Sequence, residues 1–402
     1  MLDVKTAQSV GEIDQQWVMG TYLRQAPLFV RGEGARLYDS EGKEYLDFIA
    51  GVAVCSIGHC HPRLVDAISR QAATLMHVSN LYLTEPQAKL AEKLCAISGM
   101  DKVFYVNSGA EAVETSIKIA RKHAQTRSIE EPEIIAFHGA FHGRSMGALS
   151  ATAQPKYQDP FKPLLPGFRY VDPNDARALN EAFNANTCAV LVEPIQGESG
   201  VRPINPLILH EARALCDKHG ALLILDEIQC GMGRTGRWFV CQKLGIAPDL
   251  MTVAKGLGGG FPIGACLARG EVADLLKPGE HGSTFGGNAL ACTAALAVIE
   301  TIEQENLLVS AERVGHELQS GLKKLTAAGL PISQVRGAGL LIGIGLTRPI
   351  AKAVCKAALE RGLLVNPVGE DTIRMAPPLI ITERDVAQAM DILQAAFSAV
   401  SD

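Results

Sequence analysis

The first regular pattern in the chain is an alternation of apolar and polar residues between Gly34 and Ala50. It is interrupted once, by the turn sequence Asp39–Gly42. A period of two on both sides of a glycine-containing turn predicts antiparallel strands, because successive side chains of a strand point to opposite faces. We therefore expect a β-hairpin in this segment.

Beyond about residue 60, short apolar runs alternate with segments of helical periodicity. The runs that predict strands lie at Lys102–Val106, Glu133–Phe137, Ala189–Glu193, Ala221–Leu225 and Leu250–Ala254. Strands that are apolar nearly throughout bury both faces, and the helices between them cover those faces. The pattern is typical of an α/β fold with a mostly parallel sheet.

The last third of the chain has a different order of elements. A long apolar helix is predicted from Ala289 to about Gln304. An amphipathic helix, a strand and two further helices are predicted after it, at Leu308–Ala328, Gly339–Leu346, Ile350–Arg361 and Glu383–Val400. Because a chain of 402 residues is too long for one simple core, we expect this part to form a smaller α+β domain.

The charge balance excludes some classes of partner. The 38 Lys and Arg residues and the 43 Asp and Glu residues leave a net charge of -5, and no basic run could neutralise a row of phosphates. Met1–Gln16 has no signal-like apolar stretch, and no apolar run reaches the roughly 18 residues of a membrane span. We expect a cytoplasmic protein that binds neither nucleic acid nor a membrane.

Ten cysteines are scattered along the chain, mostly within apolar segments. In a chain without a secretion signal, this distribution is typical of reduced core thiols. One local cluster contains Cys55, His59, Cys60 and His61, but it lacks the second ligand pair of a zinc site. We therefore predict a structural role for this cluster and no bound metal.

A first candidate site lies where a predicted strand runs into Asn107, Ser108 and Gly109 and then into a helix from Ala110 to about His123. The free backbone N–H groups and the dipole of such a helix start attract anions, and a glycine allows close approach. The same sequence also fits an ordinary capped helix. Taken alone, the segment leaves both interpretations open.

Two further segments end predicted strands with charged residues. Asp226 and Glu227 follow the run Ala221–Leu225, at the sheet edge where open α/β folds bind ligands. Adjacent buried carboxylates require a cationic partner, which a protonated pyridine nitrogen would supply to Asp226. Lys255 follows another apolar strand and precedes the loop Gly256–Gly260, and a partly desolvated amine in this setting is suited to imine formation.

Residues Gly231–Gly236 match the spacing of a dinucleotide-binding fingerprint, with Asp249 downstream. However, Asp226 and Glu227 would lie beside the pyrophosphate and repel it. No clearly capped crossover helix follows either. We therefore do not interpret this segment as a nucleotide site.

Several ordered segments together resemble the class III aminotransferases. They are Asn107–Gly109, Asp226–Gly236, Ala254–Gly256 and Ser283–Asn288. The resemblance extends from Leu28 to about Pro378 and implies the pyridoxal-phosphate-dependent fold type I, with a mostly parallel seven-stranded sheet. It also implies that residues 1–55 contribute to a small domain, that 56–290 form the large cofactor-binding domain, and that 291–402 form the C-terminal small domain.

Other segments resemble the branch of this family that acts on acylated ornithines. They are Gly58–Pro62, Phe137–Ser145, Val192–Glu198 and Arg336–Gly343. This resemblance implies transfer of the ω-amino group of N2-acetyl-L-ornithine to 2-oxoglutarate, which yields N-acetylglutamate semialdehyde and glutamate in arginine biosynthesis. N2-succinylornithine, a substrate of arginine breakdown, is the alternative.

The resemblance implies roles for residues of these motifs. Lys255 would carry pyridoxal phosphate as a Schiff base and move a proton, and Asp226 would pair with the pyridine nitrogen. The implied cofactor contacts are those of Ser108, Gly109, Ala110, Phe141, Ile228, Gln229 and Thr284. Ser283 and Thr284 would reach the site from the partner subunit of a homodimer. Relatives often have threonine at the position of Ala110, and the hydroxyl contact absent here is worth about 1.5–3 kcal/mol.

The implied substrate contacts follow from charge. A 2-oxoglutarate molecule has two carboxylates, and Arg144 and Arg374 resemble the two guanidinium groups that would bind them. The amino donor has no carboxylate on its reacting carbon, so one arginine would face nothing. Glu198 resembles the acid that pairs with Arg374 in that half-reaction. Ser283 completes the implied set of substrate contacts.

Two alternative functions remain open. A racemase or aminomutase with the same cofactor would not need a separate keto acid, and the two arginines with their pairing acid argue against it. A dimeric binding or scaffold protein would keep the fold without the chemistry, and the presence of both Lys255 and Asp226 argues against it. For His142 and Glu193 we predict structural roles, in a hydrogen-bonded loop and at a strand end.

Overall fold

The computed structural model describes residues 7–24 and 26–401. Its α-helices are α1 Ala7–Trp17, α2 Ala50–Ala53, α3 Pro62–Thr74, α4 Glu85–Ser98, α5 Gly109–Thr126, α6 Met146–Ala151, α7 Pro155–Gln158, α8 Ala176–Ala182, α9 Pro206–His219, α10 Val240–Leu244, α11 Ala289–Gln304, α12 Leu307–Ala327, α13 Ala351–Glu360 and α14 Glu383–Ser401. Short 3₁₀ helices lie at Asp159–Phe161, Lys255–Leu257 and Gly270–Asp274. No helix within these ranges is long and apolar enough to cross a membrane.

The strands fall into four sheets. In chain order they are β1 Phe29–Glu33, β2 Arg36–Asp39, β3 Glu44–Asp47, β4 Lys102–Val106, β5 Glu133–Phe137, β6 Phe168–Val171, β7 Thr187–Val192, β8 Ile195–Gln196, β9 Arg202–Pro203, β10 Leu222–Asp226, β11 Leu250–Val253, β12 Gly264–Ala268, β13 Ile332–Ala338, β14 Leu341–Leu346, β15 Leu363–Leu364, β16 Asn366–Pro367 and β17 Thr372–Met375. The largest sheet has seven strands in the order β4-β12-β11-β10-β7-β5-β6.

The seven-stranded sheet is parallel except for β12, which runs antiparallel to both of its neighbours. Alternate residues of its central strand enter different cores: Leu223 and Leu225 of β10 belong to one apolar cluster, and Leu222 and Ile224 to another. Helices supply the remaining residues of both clusters, as an all-apolar parallel strand requires. The predicted α/β fold with a mostly parallel sheet is confirmed.

A third apolar core lies outside this sheet and joins the two ends of the chain. Leu46 and Phe48, near β3, share it with residues of α12, α13 and α14 and of the sheet β13-β14-β17-β16. β15 also pairs in parallel with β3, so the N-terminal strands and a C-terminal strand form one sheet. The predicted limits 1–55, 56–290 and 291–402 are not tested by these contacts and stay a prediction.

The strands predicted from the apolar runs correspond to β4, β5, β7, β10 and β11, with ends that shift by up to two residues. The predicted hairpin is confirmed by the antiparallel pairing of β2 with β3. Nine strands were not predicted: β1, β6, β8, β9, β12, β13, β15, β16 and β17. β12 has the sequence Gly-Ala-Cys-Leu-Ala, and its small side chains carry little of the β-branched and aromatic signal of a strand.

Candidate active site

The carboxyl ends of β10 and β11 open into a cavity of about 450 Å³. Its wall contains most of the residues singled out from the sequence together with the glycine-rich loop after Lys255. The lining includes Ser108, Gly109, Ala110, Phe141, Arg144, Asp226, Ile228, Gln229 and Lys255. A crevice beyond the carboxyl ends of parallel strands is where open α/β sheets bind their ligands.

One wall of the cavity is the start of helix α5. Ser108 is the N-cap, and its hydroxyl accepts a hydrogen bond of 3.2 Å from the backbone N–H of Glu111. The first N–H groups of a helix have no carbonyl partner within it, so those of Gly109 and Ala110 suit an anion. A Cβ atom on Gly109 would lie 2.8 Å from Cδ1 of Ile228, so glycine is needed for this close approach.

The floor of the cavity holds Asp226, the last residue of β10. The side chain is buried; Oδ1 accepts a hydrogen bond from the N–H of Ile228 at 3.0 Å, and Oδ2 lies 2.7 Å from Nδ1 of His142. Burial works to lower the pKa of His142, but the hydrogen bond to Asp226 and the charges of Asp226 and Glu193 together outweigh burial, and the net pKa is raised. Asp226 is therefore oriented by two contacts, one of them with a buried histidine.

Two further carboxyl groups are buried close by. Glu193 accepts a hydrogen bond of 2.9 Å from the backbone N–H of Phe141, and Glu227 accepts one of 2.9 Å from the N–H of Cys241. Burial raises the pKa of both groups, and the charge of Asp226 adds to the effect. Burial therefore disfavours the ionised forms of Glu193, which lines the cavity, and of Glu227.

Lys255 begins the 3₁₀ turn after β11 and has a positive φ of 44°. Burial is the main cause that lowers the pKa of its amine, and the charge of Arg374 acts in the same direction. Glu198 and Glu193 act against the shift without cancelling it. A lysine with a lowered pKa has a larger neutral fraction, which is the nucleophilic form.

Arg374, on β17, lies beside Glu198. The two form an ion pair, and Gln229 joins both: its Nε2 donates to Oε1 of Glu198 at 3.1 Å, and its Oε1 accepts from Nη1 of Arg374 at 3.1 Å. Burial would raise the pKa of Glu198, but the charges of Arg374 and Lys255 lower it overall. This arginine is thus buried and already neutralised by a carboxylate.

Arg144 contrasts with Arg374. It is exposed and lines the cavity, and none of the described carboxylates forms an ion pair with it. Its guanidinium carbon lies 5.5 Å from the ring centroid of Phe141. The site therefore combines one available cation with one masked cation, an arrangement that suits substrates with different numbers of carboxylates.

Ser283 and Thr284 lie outside this cavity. Ser283 Oγ accepts hydrogen bonds from Asn107 Nδ2 at 3.3 Å and from the N–H of Gly286 at 3.0 Å, and the residue lines a neighbouring surface cavity. Thr284 is exposed. Within one chain, neither residue is brought into the candidate site, so their predicted contacts stay a prediction that requires a second subunit.

Sequence reasoning missed the place of two residues in the site. His142 contacts Asp226, and its Nε2 is buried without a partner among the described residues. Glu193 lines the cavity, where its predicted strand-end position is also observed. The signal for His142 was its position next to Phe141, but only the fold brings that loop against β10.

In the cluster of Cys55, His59, Cys60 and His61, both histidines contact carboxylates from outside the cluster. His59 Nε2 lies 2.7 Å from Asp47, and His61 Nε2 lies 3.2 Å from Glu305. In the part of the chain that the structure covers, no group of three or more His, Cys, Asp or Glu residues is suited to hold a metal ion. Both histidines thus have structural partners.

The glycine-rich segment Gly231–Gly236 forms turns and opens no helix. Gly233 and Gly236 have φ values of 86° and 85°, and Arg234 is buried with its guanidinium on the carbonyl oxygens of Leu340 and Pro377. The segment therefore packs against the third core, which agrees with its rejection as a nucleotide site.

The residues of the cavity fit pyridoxal phosphate. An amine of lowered pKa, a buried and oriented carboxylate and the N–H groups of a helix start are what its carbonyl, pyridine nitrogen and phosphate require. Nε2 of His142 is a buried polar atom without a partner among the described residues, and the absence of a Cβ atom at Gly109 leaves space beside Ile228. The role of each residue, assigned from the resemblance, stays a prediction.

Comparison with known proteins gives a consistent family. The family described as Aminotransferase class-III matches residues 22–397. An acetylornithine aminotransferase of Gloeobacter violaceus is 50% identical over 97% of this chain and 98% of its own.

Two solved structures extend the comparison. The ornithine aminotransferase of Toxoplasma gondii, whose structure shows partial occupancy of PLP at the active site, has a TM-score of 0.96 and 36% identity over 100% of this chain and 96% of its own. The acetylornithine aminotransferase of Elizabethkingia anophelis has a TM-score of 0.88 and 35% identity over 98% of this chain and 100% of its own. This chain belongs to the class III aminotransferases, a family of pyridoxal-phosphate-dependent enzymes.

Proposed function

We propose that this aminotransferase moves the ω-amino group of N2-acetyl-L-ornithine to 2-oxoglutarate, yielding N-acetylglutamate semialdehyde and glutamate. The observation that carries the proposal is the unequal pair of arginines: Arg144 is available to a ligand, whereas Arg374 is masked by Glu198. A site that alternates between a monocarboxylate amine and a dicarboxylate keto acid needs one cation at all times and a second in only one half-reaction.

In the proposed enzyme, pyridoxal phosphate is held covalently by Lys255, at its pyridine nitrogen by Asp226, and at its phosphate by Ser108, Gly109 and Ala110. Phe141 and Ile228 would flank the ring, and Gln229 would lie near its phenolic oxygen. When bound, the cofactor supplies an electron sink for the carbon from which a proton is removed. The contact of His142 with Asp226 supports this assignment, because it orients that carboxylate.

Lys255 would act as the base and acid that moves a proton between the substrate carbon and the cofactor carbon. Desolvation lowers the pKa of its amine, so that a larger fraction is neutral and able to accept a proton, and the protonated amine returns it more readily. Burial also disfavours the ionised form of Glu193, whose charge raises the pKa of this amine.

Arg144 would bind the α-carboxylate of acetylornithine, while Glu198 keeps Arg374 neutralised. When 2-oxoglutarate enters, its second carboxylate would replace Glu198 on Arg374. Gln229 contacts both members of the pair and can retain Arg374 in place while Glu198 moves. Such an exchange avoids a buried arginine without a counter-charge in either half-reaction.

The acyl group is supported by the comparisons. Relatives named acetylornithine aminotransferases are 45–50% identical to this chain over nearly its full length. We therefore propose N2-acetylornithine rather than free ornithine as the amino donor. N2-succinylornithine, the substrate of a breakdown enzyme, is the competing acyl substrate.

The proposed enzyme is a homodimer in which Ser283 and Thr284 enter the partner's site. The segments Leu81–Leu83 and Ser283–Gly286 are joined by hydrogen bonds from Asn80 to the carbonyl oxygens of Ser283 and Gly286, at 3.1 and 2.9 Å. The side chains of Leu81, Tyr82, Leu83 and Phe285 are 60–101% exposed. A contiguous exposed apolar surface of this kind is typical of a subunit contact.

A substrate panel tests the proposal. The pure protein loaded with pyridoxal phosphate is assayed with 2-oxoglutarate and one of three amines: N2-acetylornithine, N2-succinylornithine or ornithine. We expect the highest kcat/KM with N2-acetylornithine and no glutamate formation when 2-oxoglutarate is omitted. A preference for the succinyl compound would move the enzyme to the breakdown reaction, and amine conversion without a keto acid would favour an aminomutase.

A further inference from the structure

The side chain of Arg144 rests on an aromatic ring. Its guanidinium carbon lies 3.9 Å from the ring centroid of Tyr157, closer than the 5.5 Å to Phe141. The rings of Tyr157 and Phe141 are 5.8 Å apart and nearly perpendicular, at 77°. A guanidinium this close to an aromatic face is held by a cation–π interaction. Tyr157 therefore connects Arg144 with the ring predicted to cover the cofactor.

Tyr157 itself is placed by buried hydrogen bonds on both sides. Gln154 Nε2 donates to the carbonyl oxygens of Gly139 and Ala140, both at 3.1 Å, and these residues directly precede Phe141. Gln158 Nε2 donates to the carbonyl oxygen of Leu149 at 3.1 Å. The one-turn helix α7, which carries Tyr157, is thus fixed to the cofactor loop and to α6.

The backbone after Arg144 is fixed as well. Oε1 of Glu114 accepts hydrogen bonds from the N–H groups of Gly147 at 2.8 Å and Ala148 at 3.0 Å, at the start of α6. The exposed side chain of Arg144 has no such support, since it forms no ion pair within residues 7–24 and 26–401. An unsupported arginine loses much rotamer freedom when it binds a carboxylate. The stack on Tyr157 removes part of that loss in advance.

We propose that Tyr157 is the positioning residue of Arg144 and thereby sets how strongly the enzyme prefers substrates with a carboxylate at the end away from the reacting group. This inference rests on the proposed function, in which Arg144 binds that carboxylate. The ring of Tyr157 acts as the platform, whereas its hydroxyl has no hydrogen-bond partner among the described residues. Phenylalanine is therefore an adequate replacement, and leucine, of similar apolar character but without a ring face, is not.

The test compares Tyr157→Phe with Tyr157→Leu in the cofactor-loaded enzyme. Calorimetry with glutarate, a dicarboxylate without the reactive keto group, measures binding without turnover. We expect Tyr157→Leu to raise the Kd of glutarate about tenfold and Tyr157→Phe to change it less than twofold. Equal losses in both variants, or no loss in either, would overturn the proposal.

A double-mutant cycle separates positioning from general damage to the site. In an Arg144→Gln background, Tyr157→Leu should weaken glutarate binding by less than about twofold, because the side chain that it positions is absent. A full tenfold loss in that background would show that Tyr157 acts without Arg144. Thermal unfolding of all variants, which we expect to agree with the parent, identifies any loss that reflects misfolding.

Kinetics give the selectivity itself. N-acetyl-1,4-diaminobutane has the acetylated diamine chain of acetylornithine but no carboxylate. Tyr157→Leu should raise KM for N2-acetylornithine about tenfold and leave kcat and the values for the carboxylate-free amine unchanged. An equal effect on both amines would contradict the proposal. If the parent enzyme converts neither amine, the proposed function fails, and the glutarate measurements still decide the role of Tyr157.

Discussion

Glu198 is the single residue on which the alternation between substrates depends. It lies on Arg374 and Gln229, and the charges of Arg374 and Lys255 hold its pKa below the usual range despite burial. The carboxylate is therefore ionised at neutral pH and competes with the second carboxylate of 2-oxoglutarate for the same arginine. The amino donor does not compete with Glu198, because N2-acetylornithine has no second carboxylate that could bind Arg374.

We predict that Glu198→Gln lowers KM for 2-oxoglutarate about tenfold, because the keto acid no longer has to displace a carboxylate from Arg374. The same change should raise KM for N2-acetylornithine about tenfold, because Arg374 then has no counter-charge while this amine is bound. Initial rates at varied concentrations of both substrates measure the two constants. Glu312→Gln, which alters an exposed ion pair with Arg237, is the control. If both KM values change in the same direction, Glu198 does not compete with the keto acid.

His59 contributes to the fold through its contact with Asp47. Burial works to lower its pKa, but the hydrogen bonds and charges of Asp47 and Cys55 together outweigh burial and raise the pKa to about 10. A group with a raised folded-state pKa stabilises the fold fully below its unfolded pKa of about 6.5, and this contribution is lost as pH rises through about 10.

His59→Gln should therefore destabilise the protein more at pH 7 than at pH 10. We expect the difference between the two losses in free energy of unfolding to be about 1.5–3 kcal/mol, the worth of a hydrogen bond to a charged group. Denaturant unfolding of the parent and the variant at both pH values measures it. A loss that is equal at pH 7 and pH 10 would show that His59 contributes only by packing.

Among the elements, helix α5 brings the anion site to the cavity. Its N-cap Ser108 and first residue Gly109 follow β4, and Gly109 lies against Ile228 after β10. The approach is so close that a Cβ atom on Gly109 would lie 2.8 Å from Ile228 Cδ1, although alanine suits the helix itself. The contact between Gly109 and Ile228 thus fixes the width of the cavity between the start of α5 and the loop after β10.

Gly109→Ala should weaken the binding of pyridoxal phosphate to the unloaded protein about tenfold, because Ile228 is displaced into the ring position. A spectrophotometric titration with the cofactor gives the Kd. Gln125→Ala, at the exposed far end of the same helix, is the matched control and should bind as the parent does. An unchanged Kd for Gly109→Ala would mean that Ile228 does not flank the cofactor.

The elements also show what the sequence could predict. Strands such as β10 and β11 are continuous apolar runs that end in charge, so both the strands and the positions of Asp226 and Lys255 at their ends were predictable. β17, which carries Arg374, has only four residues and no helix beside it in sequence, and it was not predicted. Its pairing with β14, through Gly343 opposite Arg374, is a long-range contact that no local pattern encodes.

The same limit applies to side-chain partners. The contact of His142 with Asp226 joins residues 84 positions apart, and the stack of Arg144 on Tyr157 depends on how α7 returns to the cofactor loop. Asp226 and Lys255 were predicted from their positions at strand ends, and the resemblance to the family implied Arg144, Glu198 and Arg374. The contacts that orient them depend on how the loops fold back, and these became apparent only in the structure.

For the whole molecule, the central expectation is that each active site needs two chains. Lys255 lines the cavity, whereas Thr284 is exposed outside it on the surface formed with Leu81–Leu83. In a two-fold symmetric dimer, each subunit would contribute Thr284 to the other site. Two variants that damage different contributors should therefore complement each other.

We predict that Lys255→Ala and Thr284→Asp are each inactive alone, since one lacks the amine and the other places a negative charge beside the phosphate. After unfolding and refolding as an equal mixture, about a quarter of the sites should regain full activity, because half of the dimers are mixed and one site in each is intact. Glutamate formation per total subunit measures this recovery. A mixture as inactive as its components would place Thr284 in the site of its own chain or outside both.

The visible absorption spectrum of the pure protein tests the central claim most directly. We expect a cofactor band that bleaches when N2-acetylornithine is added alone and returns when 2-oxoglutarate follows. After borohydride treatment and denaturation, we expect the cofactor to stay covalently bound to the parent protein but not to Lys255→Ala. This result would demonstrate the cofactor, its lysine and both half-reactions together. A parent protein that shows no band after incubation with pyridoxal phosphate, or a band that neither compound changes, would contradict the proposed reaction.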